Sequence, residues 1–337
     1  MAKEDHLIRF QVENFKRFRC LTLDDLGQFN LLVGDNNVGK TSVLEALLYD
    51  DDLNKFSDNL FQALSFRNLG GEYREGHFSF YVNRSSLLDI SKPVLSFSLQ
   101  TLKGDDFDSG RDFSFAENGS LEKGEGALIG DVMTPRYKNT IQAGSVPLIP
   151  FSGSYGKDLM DLYSKTFIRD RAAKRELIST LSTLITGIED LEMDTAITDY
   201  PVLVVALKGG DTVVPLVNYG EGTIKLFRIL MFILLFKGKR LMIDEIDAGI
   251  YYSRMKDFWK TILLAAEENE VQLFVTTHNQ ECIKYFKEAL DSQELNHLKS
   301  ESRTITLVEN HKSKEVKAIT SHFDELEHAI EYGNEIR

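Results

Sequence analysis

Three short stretches of this chain carry residues whose types and spacing can do phosphate chemistry. The first is Gly34-Asp35-Asn36-Asn37-Val38-Gly39-Lys40-Thr41, which fits G-x-x-x-x-G-K-[ST]. Gly34 and Gly39 permit a tight fold in which backbone N–H groups, those of Asn36, Asn37, Val38 and Ser42 included, turn inward toward an anion. Lys40 adds a mobile cation for the outer phosphates, and the Thr41 hydroxyl can ligate Mg²⁺. The second stretch, Leu241-Met242-Ile243-Asp244-Glu245, is an apolar run ending in two carboxylates. In a protein with a phosphate loop, an acid such as Asp244 at a strand end holds Mg²⁺. A second acid beside it, Glu245, can orient or deprotonate an attacking water. The third stretch, Val271–Thr276, leads into Thr277-His278-Asn279. His278 then stands at the C-terminal end of a core strand, where ligands of open α/β sheets collect.

These side chains need elements to position them. Leu31-Leu32-Val33 reads as a buried strand feeding the loop, and Val43, Leu44, Ala46, Leu47 and Leu48 give the following helix its apolar face. A random chain of this length matches the loop pattern about once in a hundred, and the strand and helix flanks reduce chance further. Asn218-Tyr219-Gly220-Glu221-Gly222-Thr223 precedes Ile224–Phe236, which is apolar on all sides except at Lys225 and Arg228. As a helix it must be buried nearly all round. The Gly220-Glu221-Gly222 turn presents N–H donors at its start, or is an ordinary helix beginning.

The chain has 337 residues, 42% hydrophobic and 27% charged, with a formal net charge of −13. That is the composition of a soluble globular protein with room for one large domain or two smaller ones. A general electrostatic footprint for nucleic acid is absent. Two cysteines, Cys20 and Cys282, make no disulfide framework and fit a reducing compartment. The N-terminal MAKEDHLIRF lacks an apolar signal core, and the longest uncharged apolar run, Ile229–Phe236, is too short to span a bilayer. A cytoplasmic protein away from membranes is expected.

Along the rest of the chain, Leu7–Val12 and Arg19–Leu23 read as strands flanking Asn14-Phe15-Lys16-Arg17-Phe18, a hairpin with a solvated tip. Leu53–Leu64 fits one amphipathic helix. His77–Val82, Val94–Leu99 and Asp112–Phe115 read as short strands, Asn118–Gly130 as a loop, and 51–146 as an insertion in the nucleotide-binding core. Asp105-Asp106-Phe107-Asp108 reads as solvated. Val146–Phe151 returns to strand character, and Lys157–Thr186 has helical spacing. That helical stretch carries Lys165, Arg169, Arg171, Lys174 and Arg175, a solvated face or a surface for an acidic partner. Val202–Leu207 and Thr212–Val217 form a hairpin across Gly209-Gly210-Asp211. Phe258–Ala266 is a helix, Thr304–Val308 and Val316–Thr320 a second hairpin, and Phe323–Tyr332 a closing helix.

The order of these motifs resembles the bacterial AAA-annotated, ABC-type ATPases of the OLD, RecF and SMC groups. VENFKRF is similar to that group's first strand and turn, GDNNVGKT to its loop, IDEIDAGIYYS to its Walker B and D-loop run, and FVTTHNQECI to its His-switch strand. The tail Glu335-Ile336-Arg337 is similar too. The signature departs from Ser-Gly-Gly as NYGEGT. Asp247-Ala248-Gly249 stands in place of Glu-Asn-Gly, Tyr251 where His is frequent, and Asn279 where Ser is usual. Gln142 is one option for the Q-loop.

The resemblance implies an α/β fold: a P-loop NTPase of ABC-ATPase type with an antiparallel β subdomain, a helical lobe and an inserted mixed α/β segment. Its core is expected at 1–50 and 147–337, with the signature lobe at about 157–237. It implies ATP and Mg²⁺ as cofactors, Thr41 and Asp244 on the metal, Glu245 as base and His278 sensing the γ-phosphate. It also implies that Gly220, Glu221 and Gly222 close on the phosphate loop of a second copy, giving an ATP-dependent homodimer or higher oligomer. No Toprim nuclease is expected after the His strand. The output is then expected on a separate effector, a Toprim-type nuclease among the options, in anti-phage defence. The alternative is a RecF- or SMC-like DNA-repair ATPase. A switch GTPase is disfavoured, because Asn54-Lys55-Phe56-Ser57 lacks the Asp of a guanine-reading motif and lies too early.

Overall fold

The computed structural model describes residues 6–49, 59, 63, 71–74, 77–81, 94–101, 113–114, 127–129, 132–134, 146–151, 157–182, 185–195 and 201–333. The sequence readings at 105–108, Gln142 and 335–337, and most of those at 53–64 and 118–130, lie outside these residues.

The first part of the chain comprises β1 (Leu7–Phe15), β2 (Phe18–Leu23), β3 (Phe29–Gly34) and α1 (Lys40–Ala46). Short strands follow: β4 (Gly71–Arg74), β5 (His77–Tyr81), β6 (Val94–Thr101), β7 (Phe113–Ser114), β8 (Ala127–Ile129), β9 (Val132–Thr134) and β10 (Leu148–Ile149). The next lobe contains α2 (Lys157–Thr166), α3 (Arg171–Leu181), β11 (Ile188–Asp194), β12 (Val202–Leu207) and β13 (Val213–Pro215). The remainder is α4 (Glu221–Leu235), β14 (Arg240–Ile243), α5 (Met255–Glu268), β15 (Gln272–Thr276), α6 (Gln280–Leu290), β16 (Ser302–Glu309), β17 (Val316–His322) and α7 (Phe323–Glu331).

The central sheet has the order β10-β14-β15-β3-β16-β17. Every neighbouring pair is parallel except β16 and β17. Both faces of its middle strands are buried, which is why Leu31-Leu32-Val33 and Leu241-Met242-Ile243 read as unbroken apolar runs. Leu31, Val33, Leu241, Ile243, Leu273 and Val275 face one core with α4, α5 and α6. Leu32, Met242 and Phe274 face a second core with α1 and the β1–β2 hairpin. Register brings the C-terminal strand ends level, because Ile243 pairs with Val275 and Thr276 with Leu32. The three chemistry-bearing stretches therefore emerge side by side at one sheet edge.

A second sheet, β2-β1-β6-β7, is antiparallel, and a third, β11-β12-β13, accompanies α2 and α3. β6 lies within the range expected as an insertion and pairs along β1 from Leu7–Thr101 to Glu13–Ser96. β4, β5, β9 and β8 form a further four-stranded sheet.

Several local readings change. The 157–186 stretch is two helices, since Asp170 accepts from the N–H groups of Ala172 and Ala173 and starts α3 afresh. β11 was not expected; its four acids, Glu189, Asp190, Glu192 and Asp194, obscure the inward Ile188 and Leu191. The strand expected at 212–217 stops at Pro215 and turns into a 3₁₀ helix, Leu216–Tyr219. α4 is buried nearly all round, and its two cations are buried with it: Lys225 is 7% exposed and Arg228 4%. Among the described residues no helix is long and apolar enough to cross a membrane.

Candidate functional site

The phosphate loop bridges the end of β3 and the start of α1. Gly34 and Gly39 adopt φ of +142° and +111°, values an L side chain rarely takes. A Cβ at Gly34 would stand 2.7 Å from the Leu307 carbonyl oxygen, and one at Gly39 2.8 Å from Phe18 Cζ. Asn37 also lies in the left-handed region, at +64°. Asn36 and Asn37 are exposed, whereas the Val38 side chain is buried in the second core, so Val38 can offer a ligand only its backbone. Lys40 folds back across the loop and donates to the carbonyls of Gly34 at 2.7 Å and Asp35 at 3.0 Å. Burial lowers the Lys40 ammonium below its ordinary value, against the opposing pull of Glu245, Asp244 and Asp35. Ser42 is half-buried in the first turn of α1.

β14 delivers Asp244 beside this loop. Its Oδ1 accepts from Thr41 Oγ1 at 3.2 Å and from Thr276 Oγ1 at 2.7 Å. Two adjacent oxygens on an octahedral Mg²⁺ stand about 2.9 Å apart, so the Thr41–Asp244 spacing suits that ion. Among the described residues no group of three or more His, Cys, Asp or Glu is arranged to hold a metal ion. The chemistry of the donors matches Mg²⁺, which takes one or two protein oxygens and completes its shell with phosphates and water.

Glu245 follows at φ +45° and is one-third exposed. Its N–H donates to Thr276 Oγ1 at 2.8 Å. His278 Nδ1 lies 3.6 Å from Glu245 Oε1, beyond hydrogen-bond range, and its ring is half exposed. Asn279 caps α6 by accepting from the Glu281 N–H at 2.9 Å, which holds the segment after β15. Thr277 Oγ1 donates to Asp247 Oδ1 at 2.7 Å.

Lys40, Thr41, Asp244, Glu245 and His278 therefore meet at the ends of three adjacent strands. The Gly220–Gly222 turn has other neighbours. Gly220, at φ +86°, opens α4. A Cβ at Gly222 would lie 3.3 Å from Ile250 Cδ1, and one at Gly249 3.4 Å from Glu221 Oε2. A cleft of about 890 Å³ borders this turn, lined by Tyr219, Glu221, Ile250, Tyr251 and Arg254 among others. Tyr251 is 66% exposed.

Sequence reasoning missed three contributors. The 14–18 hairpin tip is not solvated: Phe15 is fully buried and Phe18 nearly so. Phe18 packs on Gly39, Arg17 donates to the Asn37 carbonyl and pairs with Glu309, and Lys16 pairs with buried Glu45 on α1. Two aromatics flanking two cations were the available signal. The second is Thr276, visible only as the last polar residue of an apolar run. The third is Lys225, whose Nζ donates to the carbonyls of Glu245 at 2.6 Å and Ala248 at 3.2 Å. A cation within an apolar run, as at Arg228 beside it, was its signal.

Comparisons with known proteins bear on the family and the fold. A family model described as "AAA ATPase domain" matches residues 6–100, and one described as "AAA domain, putative AbiEii toxin, Type IV TA system" matches 157–283. An ATP/GTP phosphatase of Helicobacter pylori is 22% identical over 334 residues, spanning 85% of this chain and 89% of that protein. The DNA replication and repair protein RecF of Xanthomonas axonopodis is 48% identical over 42 residues, 12% of this chain and 11% of RecF. An SMC head solved bound to the C-winged helix domain of ScpA superposes with TM-score 0.50 at 13% identity, covering 95% of this chain and 99% of that one. Together these matches support an ABC-type, SMC/RecF-like ATPase. By the sequence resemblance, Gly34–Thr41 corresponds to a Walker A loop, Asp244-Glu245 to Walker B acids and Asn218–Thr223 to a signature position. The α/β P-loop fold expected for an ABC-type ATPase is the one observed.

Proposed function

We propose that this ABC-type ATPase binds ATP with Mg²⁺ and hydrolyses it slowly, and that two copies close on the nucleotide. The observation that carries the reading is the meeting of Lys40, Thr41, Asp244, Glu245 and His278 at one sheet edge. Lys40 and the loop N–H groups hold the phosphates, with the α1 N-terminus adding its positive dipole end. Thr41 and Asp244 would hold Mg²⁺, which supplies positive charge against the phosphate oxygens. Glu245 accepts the proton of the attacking water. His278, at the open end of β15, senses the γ-phosphate.

The signature turn Gly220–Gly222 and the exposed Tyr251 lie together on a surface suited to a second copy. One chain has one loop and one signature, so a two-fold pair with reciprocal contacts completes two sites. ATP shared across that contact favours the closed state.

The decisive experiment pairs two variants. Lys40→Ala abolishes ATP binding. Glu245→Gln retains binding, loses about 10²- to 10⁴-fold in turnover, and dimerises with ATP in light scattering. Full hydrolysis by Glu245→Gln would overturn the base assignment, and a monomer with and without ATP would overturn the pairing.

The cellular output lies on another polypeptide, and the toxin–antitoxin wording of the 157–283 family model supports a defence setting. A Toprim-type nuclease fits as that effector. Lys165, Arg169, Arg171 and Arg175 are exposed along α2, α3 and the turn between them, while Lys174 pairs with Asp190 at 2.6 Å. They offer a steering surface for an acidic partner that weakens with salt. Pull-down from the native host followed by nuclease assay tests this; ATP-dependent cutting by the purified chain alone would overturn it. A RecF-like DNA-binding role is the alternative, disfavoured by the net charge of −13.

A further inference from the structure

The backbone of Glu245 sits in the left-handed region at φ +45°, where a non-glycine residue is strained. Its surroundings must hold it there, and they grip both sides of the residue. The N–H donates to Thr276 Oγ1 at 2.8 Å, and the carbonyl accepts from Lys225 Nζ at 2.6 Å. Lys225 belongs to α4, the helix that starts at the signature turn. It spends a second donor on the Ala248 carbonyl at 3.2 Å, so one ammonium closes the whole Glu245–Ala248 turn. The adjoining Asp247 is fixed from the other side by Thr277.

A buried ammonium is a costly means of satisfying two carbonyls. Its neighbours on α4, Ile224, Leu226 and Phe227, are all buried apolar residues. Lys225 is thus one of two cations, with Arg228, in the buried part of this helix, and its ammonium is aimed at one backbone segment. The same helix meets that segment again at its first turn, where Gly222 packs on Ile250 and Glu221 approaches Gly249. Glu245 and the signature turn are therefore parts of one clamped unit.

We infer that Lys225 is a positioning residue for hydrolysis: it fixes the backbone of Glu245 and ties it to the signature helix. Seating of Gly220–Gly222 on the partner's nucleotide is then felt at the chain's own Glu245. This rests on the ATPase reading above.

The test uses the purified full chain and a double-variant cycle. Lys225→Met lowers kcat by about 10²-fold, the scale of a misplacement of about 1 Å, and leaves ATP affinity in equilibrium titration unchanged. Placed on Glu245→Gln, the same substitution causes no further loss, because its effect runs through Glu245. Lys225→Arg, which retains charge and donors, recovers most of the rate. If Lys225→Met does not fold, Lys225→Gln, which keeps a donor, replaces it in the same cycle. Unchanged kcat would overturn the inference, as would an equal loss in the wild-type and Glu245→Gln backgrounds. A loss of binding in step with a lowered melting temperature would mark a merely structural lysine. A wild-type chain with no ATP turnover is a separate observation and would remove the ATPase reading itself.

Discussion

Thr276 Oγ1 donates to Asp244 Oδ1 at 2.7 Å and accepts the N–H of Glu245 at 2.8 Å. One hydroxyl at the end of β15 thus orders both acids at the end of β14. Thr276 is fully buried and Asp244 nearly so, so neither lost bond is replaced by water. Thr276→Val keeps the shape and removes both bonds. Leaving buried groups unsatisfied costs about 1–3 kcal/mol each. The expected outcome is a clear fall in melting temperature, with weaker Mg²⁺ dependence of ATP binding and lower kcat. Thr276→Ser keeps the hydroxyl and retains activity. Equal activity in the Val and Ser variants would show that the hydroxyl has no such role.

The glycines of the site predict a graded series. A Cβ at Gly34 meets backbone, the Leu307 carbonyl, at 2.7 Å, and one at Gly39 meets the buried Phe18 ring at 2.8 Å. Gly220 has positive φ, but nothing stands within 4 Å of its Cβ position. Backbone cannot step aside, a packed ring can shift slightly, and open space demands nothing beyond the φ strain. Melting temperatures are expected to fall most for Gly34→Ala, less for Gly39→Ala and least for Gly220→Ala. Nucleotide binding is lost in the first two alone. A reversed order would mean that loop strain, not contact, controls tolerance.

Lys225 gives a pH dependence with a definite sign. Burial pulls its ammonium from 10.5 down to about 8, although Asp247, Cys282, Glu245 and Asp244 pull the other way. Between about pH 8 and 10.5 the unfolded chain binds more protons at this position than the folded one. Stability from this group therefore rises with pH across that window, by on the order of 3 kcal/mol. Other groups titrate there too, so the measurement is a difference. Subtracting the melting curves of Lys225→Met from wild type over pH 7.5 to 10.5 isolates the slope. A flat difference would place Lys225 near its ordinary value.

The legible and illegible parts of this chain differ in range. Gly34–Thr41, Asp244-Glu245 and His278 are each contiguous with the apolar run that positions them, so strand, turn and chemistry could be read together. Their meeting followed from parallel order, which the family resemblance implied. What the sequence concealed lies in contacts across long separations. Arg17 reaches Glu309, Lys225 reaches Glu245, and Leu7 N–H reaches Gln272. No local pattern encodes such partners. The hairpin tip was read as solvated because two adjacent cations ordinarily are; here Glu45 and Glu309 draw them inward. The start of α6 is marked locally by the capping residue Asn279, beside His278.

The pairing of Lys16 with Glu45 carries the last prediction. It joins the β1–β2 hairpin to α1, with side chains 9% and 1% exposed. Lys16 stands at φ +51°, so the tip is shaped to deliver this cation. Removing one partner of a buried pair costs about 3–5 kcal/mol, because a charge is left in low dielectric, whereas removing both is often nearly neutral. Lys16→Met alone is therefore expected to lower the denaturation midpoint strongly and to loosen the tip from α1. Phe18 then no longer backs Gly39, and ATP affinity falls with stability. Lys16→Met combined with Glu45→Gln restores most of the stability, since the buried charge that Lys16 faced is gone as well. If ATP affinity recovers with stability in the double variant, the hairpin serves the phosphate loop through packing. If stability recovers and affinity does not, the Lys16 charge itself acts on the nucleotide. Denaturant melts and ATP titrations of the wild type, both single variants and the double variant separate these outcomes. Equal midpoints for wild type and Lys16→Met would show that the pair contributes nothing.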